Sequence, residues 1–256
     1  MLLPQRKGKG VPKNLNQSPE PRLLFLDIEW SPVKAYVWRA WDENIAPAQI
    51  IEDGGLLCIC FKFSDEKDYH FYSQWGEGGK DEMLRQTRNA ILEADAVITY
   101  NGDKYDLPKI QGELLRHGMP PMPPVTSIDV IKTVKKMGYF RNALGFVGPF
   151  LGLGKKVSHE GFDLWKKVDE GDWRAQRKME KYCIQDVRLL VRLYNRIRPF
   201  IPTHPHLALS SPESCPVCGA AHVQKRGVTR TRSFITQRLH CTSCGHWFQG
   251  TRKKVT

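Results

Sequence analysis

Two carboxylates interrupt the apolar run Leu23-Leu24-Phe25-Leu26-Asp27-Ile28-Glu29-Trp30. A stretch this short and this apolar reads as a buried strand. Alternate side chains of a strand share a face, so Asp27 and Glu29 stand side by side. Burying two like charges together is costly unless a cation compensates, and a divalent metal is the economical compensation. Two acids on the solvated face of an edge strand would give the same pattern, so a metal site needs ligands from other segments.

Two further stretches can supply them. Asn101-Gly102-Asp103-Lys104-Tyr105-Asp106 falls where a strand predicted over 96–100 gives way to a helix over 107–117. Ligands bind at strand ends in sheets with such crossovers, which aims Asp106 at whatever Asp27 and Glu29 hold. Just before Pro108, Asp106 also reads as an ordinary helix cap. In the longest helical pattern, 174–198, Tyr182 and Asp186 are four residues apart and stack on one face. They lie beside a core stripe of Cys183, Val187, Leu190 and Tyr194 and could direct a phenol and a carboxylate to one point. The alternative is a surface tyrosine and an acid paired with Arg188 or Arg192.

The elements that must position these groups are legible in outline. The acid-bearing strand is followed by β-prone segments at 35–41, 56–63 and 69–73, the sequence of an antiparallel meander. A helix over 80–93 then feeds the 96–100 strand, the order expected of a mixed α/β sheet. Gly118–Pro124 is a stiff spacer, Ile128–Val130 a short element, and 134–153 reads as helices broken by glycine and Pro149. Residues 158–173 read as a polar loop containing Asp163-Leu164-Trp165, in which His159 could touch substrate, although a lone loop histidine is usually solvated. Trp30, Trp38 and Trp41 could stack on bases, but their expected role is core and rim packing.

The chain has 256 residues and a net charge of +12, concentrated at its ends. Residues 1–21 carry +3, residues 213–256 carry +7, and the long middle carries +2. That distribution favours an acidic polymer as partner. No stretch is long and apolar enough to span a membrane, and the start lacks the apolar core of a signal peptide, so the expectation is a cytoplasmic protein with no membrane partner. The expected organisation is a flexible basic arm (1–21), a main domain (22–198), a Pro-rich linker (199–212) and a small module (213–256).

That module holds four of the seven cysteines, as Cys215-Pro-Val-Cys218 and Cys241-Thr-Ser-Cys244. Two such knuckles offer four thiolates for one structural Zn²⁺, and so short a segment needs a metal to fold. This usage, with Cys58, Cys60 and Cys183 packed as small hydrophobes, suits a reducing compartment and excludes a disulfide framework. Lys225, Arg226, Arg230, Arg232 and Arg238 lie between the knuckles and suit contact with a phosphate backbone. Protein recruitment is the competing use of such a module, and His246 is not required as a ligand.

Asp27-x-Glu29, Asn101-x-x-x-Tyr105-Asp106 and Tyr182-x-x-x-Asp186, in this order, resemble the three motifs of the DEDDy 3′ to 5′ exonucleases of the ribonuclease-H-like superfamily. The resemblance covers about 22–200 and is greatest to the phage and bacterial YprB-like branch. It implies an α/β fold, a ribonuclease-H-like mixed sheet flanked by helices, to which the small β-rich zinc ribbon is added. It also implies two Mg²⁺ or Mn²⁺ ions held by Asp27, Glu29, Asp106 and Asp186, with Tyr182 orienting water and Asn101 contacting the terminal nucleotide. The implied substrate is nucleic acid, DNA before RNA, in a bacterial or phage-infected cell, with a replication or repair protein as a further partner. The module resembles transposase-type zinc ribbons. A structure-selective endonuclease, or a non-catalytic protein that binds or recruits, would share many of these features.

Overall fold

The computed structural model describes residues 21–41, 44–207 and 214–255. The basic arm, except Pro21, and the end of the linker at 208–212 therefore lie outside the described residues, as does Glu213.

Strand β1 (Leu23–Trp30) is the middle strand of a five-stranded sheet ordered β5-β4-β1-β6-β7. Its alternation divides the core into two layers. Leu24, Leu26 and Ile28 face α1 (Gly79–Glu93) and α2 (Asp106–Arg116), where they pack with Met83, Leu84, Ile110 and Leu114. Leu23 and Phe25 face the opposite layer, built on α6 (Trp173–Ile197) through Met179, Cys183, Val187 and Leu190. Asp27 and Glu29 share the parity of Phe25 and so point toward α6.

The expected meander is present as β1, β4 (Leu56–Phe63) and β5 (His70–Ser73), paired antiparallel. The segment at 35–41 does not join it. Its strand residues form β2 (Lys34–Ala35), which pairs with β3 (Ile50–Glu52) in a separate two-stranded hairpin. Trp38 and Trp41 are 95% and 82% exposed, so the packing role expected for them is wrong; only Trp30 is partly buried. The other edge of β1 pairs in parallel with β6 (Ala96–Thr99), which pairs in parallel with β7 (Ser127–Asp129). This is a mixed α/β sheet flanked by helices.

After β7 the chain forms α3 (Val130–Val134), a short 3-10 turn, and α4 (Leu144–Phe150) with Pro149 inside it. The predicted loop at 158–173 contains a helix, α5 (Phe162–Asp169), which buries Leu164 and Val168 four residues apart. Helix α6 starts where the Asp172 carboxylate accepts from the amides of Arg174 (2.8 Å) and Ala175 (3.1 Å), satisfying donors that have no partner within the helix.

Beyond α6 the linker packs down before leaving the described residues. Ile201 is buried, and His204 accepts from the Tyr194 hydroxyl at 2.8 Å while its Nδ1 donates to the Pro205 carbonyl. The module is a three-stranded antiparallel sheet, β8 (Val223–Arg230), β9 (Phe234–Cys241) and β10 (Trp247–Lys254), in the order β10-β9-β8. His246 ties it to the end of α6 by donating to the Pro199 carbonyl at 2.8 Å, which also explains that histidine without metal ligation.

Candidate metal-dependent active site

The acids meet on the α6 side of the sheet. One oxygen each from Asp27, Glu29 and Asp186 lies within 4.8 Å of the others. Asp106 arrives by a different device. The ladder between β1 and β6 ends at Phe25 paired with Ile98, so beyond Phe25 the β6-facing edge of β1 has no strand neighbour, while the other edge stays paired with β4. Asp106, in the first turn of α2, fills the gap by accepting from the Ile28 amide at 3.2 Å. The cap position is Tyr105, so the capping role weighed for Asp106 does not apply.

The turn that delivers Asp106 is tight. A β-carbon at Gly102 would fall 2.4 Å from Thr99, so the chain can fold back on the end of β6 only without a side chain there. Asn101 adopts φ 71°, and its amide donates to Asp129 Oδ1 at 2.7 Å. Its part in the geometry is therefore in the backbone of the turn. Tyr105 is partly exposed at the helix start, near Lys109.

Trp165 and Lys156 hold the acids directly, with His159 and Tyr182 beside them; of the four, only Tyr182 is an expected site residue. Trp165 on α5 donates its indole N–H to Glu29 Oε2 at 3.2 Å. Lys156 places its ammonium 2.6 Å from Asp186 Oδ2 and 3.1 Å from the Tyr182 hydroxyl. His159 stands edge-on to both Trp165 and Tyr182, with ring centroids 5.0 Å away in each case. It is half-buried rather than solvated and closes an aromatic wall with them. Tyr182, one turn before Asp186, is the predicted member. Trp165 is placed here by α5, whose helical signal is confined to Leu164 and Val168.

Burial is the largest influence on each acid's titration. It holds Asp27 and Glu29 well above ordinary carboxylate values, with the neighbouring acids adding to the rise. Asp186 is also raised by burial, with Lys156 pulling it back. Asp106 is pushed up to about 7 by burial, offset in part by the Ile28 amide. Burial raises Tyr182 as well, so its phenol is protonated at neutral pH. One lysine among four acids leaves negative charge uncompensated, and Asp186 Oδ1 is buried with no hydrogen-bond partner. An oxygen-only donor set with an orphaned carboxylate oxygen fits a hard divalent cation.

The second cluster is Cys215, Cys218, Cys241 and Cys244, all within 4.8 Å. Cys215 Sγ lies 3.7 Å from Cys244 Sγ, and Cys218 Sγ lies 3.6 Å from Cys241 Sγ. Four thiolates at about 2.3 Å from a tetrahedral Zn²⁺ would be about 3.8 Å apart, so the geometry fits that ion. Lys225, Arg226 and Arg230 are exposed on β8, Arg238 on β9, and Arg232 in the turn between them. They lie along the β8–β9 hairpin, from Lys225 near the cysteine end to Arg232 at the far turn. Among the described residues no helix is long and apolar enough to cross a membrane. A cleft of about 700 Å³ along β5, lined by Tyr69, Phe71, Tyr72 and Trp75, contains none of the four active-site acids.

With a central strand, a crossover turn and a C-terminal helix converging on one acidic cluster, the architecture is ribonuclease-H-like. A family model of the RNase H superfamily matches residues 52–198, more than half of the chain, and the chain belongs to that superfamily. The match begins after β1; Asp27 and Glu29 are joined to it by the sheet. The fold is similar to part of a family B DNA polymerase from the hyperthermophilic archaeon Pyrobaculum calidifontis, with a TM-score of 0.53 and 18% identity. That similarity covers 78% of this chain and 26% of the polymerase, so the chain spans about a quarter of the polymerase's length. No curated protein matches the sequence.

Proposed function

We propose that this protein is a divalent-metal-dependent 3′ to 5′ exonuclease of the DEDDy type, acting on DNA in preference to RNA. Its domain at 22–198 carries the chemistry, and the linker at 199–212 leads to a zinc ribbon at 213–256 that grips nucleic acid. The observation that carries this reading is the convergence of Asp27, Glu29 and Asp186, with Asp186 Oδ1 buried and without a hydrogen-bond partner. Asp27, Glu29, Asp106 and Asp186 would hold two Mg²⁺ or Mn²⁺ ions, whose chemistry is charge neutralisation at phosphate and activation of water.

The chain's own side chains do the positioning. Trp165 fixes one Glu29 oxygen, and the Ile28 amide fixes one Asp106 oxygen. Lys156 holds both the Tyr182 hydroxyl and Asp186, so the phenol and the carboxylate keep one relative geometry. Because burial keeps Tyr182 protonated, it orients a nucleophilic water by hydrogen bonding and does not remove its proton. The thiolate cluster would hold one Zn²⁺ and order the basic strands of the ribbon.

The test is degradation of 3′-labelled and 5′-labelled single-stranded DNA, duplex DNA and RNA with Mg²⁺, Mn²⁺ or EDTA. Metal-dependent release of the 3′ label as mononucleotide is expected. Asp27→Ala and Asp186→Asn should each lose on the order of 10³-fold or more in rate, since each removes several kcal/mol of transition-state stabilisation. Asp186→Asn should still bind DNA. Internal cuts would indicate an endonuclease, and binding without turnover a non-catalytic protein.

A further inference from the structure

The excursion between β1 and β4 presents the most concentrated set of exposed aromatic side chains among the described residues. Tyr36 is 76% exposed, Trp38 95% and Trp41 82%, with Val37 and Ile51 exposed beside them. A soluble protein seldom leaves two indoles this open without a use for them. The hairpin that carries them is anchored at both ends. At its base Ser31 and Gly55 exchange hydrogen bonds, the Ser31 amide donating to the Gly55 carbonyl at 2.8 Å and the Gly55 amide to Ser31 Oγ at 2.7 Å. On its strand, Lys34 bridges Glu52 of β3 (2.7 Å) and Asp169 at the end of α5 (2.6 Å). Helix α5 is the helix whose Trp165 holds Glu29, so the platform and the acids share one support.

We propose that Tyr36, Trp38 and Trp41 form a stacking platform for unpaired bases of a single-stranded nucleic acid whose end lies at the acidic cluster. This rests on the nuclease reading given above. Two observations favour a strand over other occupants. The hairpin grows directly from the strand bearing Asp27 and Glu29, which keeps its rings near the acids; Trp38 lies within about 30 Å of Glu29 at full extension. The segment 31–53 also carries four acids (Asp42, Glu43, Glu52, Asp53) against Lys34 and Arg39 in a chain of net charge +12. A segment of that net charge does not favour phosphates. What it offers is ring faces, on which every base can stack whatever the sequence.

The platform therefore has a signature distinct from that of the ribbon. Stacking releases no counterions, so its contribution to affinity is the same at low and high salt, whereas the ribbon's contribution falls with salt. The experiment measures anisotropy of a labelled oligothymidylate and of a duplex in EDTA over a range of salt, for the full chain, Trp38→Ala/Trp41→Ala and Trp38→Phe/Trp41→Phe. The alanine variant should weaken single-strand binding roughly tenfold or more at every salt concentration, with the salt slope unchanged, while the phenylalanine variant retains most of the affinity. Duplex affinity should change less than twofold. Unchanged single-strand affinity overturns the proposal, as does a loss confined to low salt. A wild type that is dimeric, with a monomeric alanine variant, assigns the rings to self-association and overturns it too. Because binding is read without metal, failure of the protein to hydrolyse DNA would overturn the nuclease reading and leave the platform result standing.

Discussion

The indole N–H of Trp165 donates to Glu29 Oε2 across 136 positions of sequence, joining α5 to the acid-bearing strand. A side chain that orients a metal-binding carboxylate is worth about 10–100-fold in metal affinity or activity. Trp165→Phe keeps the ring and removes the donor, so Mn²⁺ affinity measured by paramagnetic resonance should fall by that factor while the thermal midpoint barely moves. Unchanged affinity would make the bond incidental.

Lys156 is the cation that Asp186 keeps when no other is near. Its side chain is about one-third exposed and Asp186 is buried, so the pair is partly screened. Lys156→Met should lower stability in EDTA at pH 8 by roughly 1–3 kcal/mol, a drop of roughly 2–10 °C in Tm for a chain of this size. Added Mn²⁺ should raise the Tm of the variant more than that of wild type, since the ion then has an unpaired carboxylate to neutralise. Equal increments would place Asp186 outside the metal site.

Burial raises all four acids, with Asp106 pushed up to about 7. Carboxyls whose folded pKa exceeds the unfolded value bind more protons when folded, so their contribution favours folding at low pH. It is lost as pH rises from about 4 through about 7. Chelator-treated protein should therefore melt higher near pH 5 than near pH 8, and excess Mn²⁺ should recover stability at pH 8. A flat profile would mean that the acids are ordinary and solvated.

The main strands and helices are legible because their apolar spacing is strong: the β1 run, the 80–93 helix and the 174–198 helix all stand where periodicity puts them. Asp27 and Glu29 on β1, and Tyr182 and Asp186 on α6, take their placement from two of those elements at fixed parity or turn, and Asp106 takes its own from the start of α2. What escaped was attached to weaker signals. Helix α5 has eight residues and two buried apolar side chains, too few to outweigh the glycines and charges around it. Lys156 lies in an irregular segment after Gly154 (φ +114°), and irregular backbone carries no period from which a direction can be inferred. The tryptophans of the hairpin defeated the composition rule, which takes aromatic rings as interior.

Among the described residues of 214–255, Cys215, Val217 and Cys241 form the buried apolar cluster, too small a core to stand alone. Metal analysis should find one zinc per chain. Cys218→Ser should abolish it and remove amide-exchange protection from β8, β9 and β10, leaving the protection of β1, β4 and β6 in place. A zinc-free ribbon that keeps its protection would overturn the assignment.

Asp106 reaches β1 across 78 positions, and the Cys183 thiol contacts the Asp27 carbonyl across 156. The acidic centre is thus completed by the docking of a late helix onto an early strand. A chain still emerging from synthesis, or clipped before α6, carries Asp27, Glu29 and Asp106 but lacks Asp186, the third member of the carboxylate cluster. Closing such distant contacts is among the slow events of folding. For the nuclease proposed above, the acidic centre is therefore incomplete until the last long helix has docked.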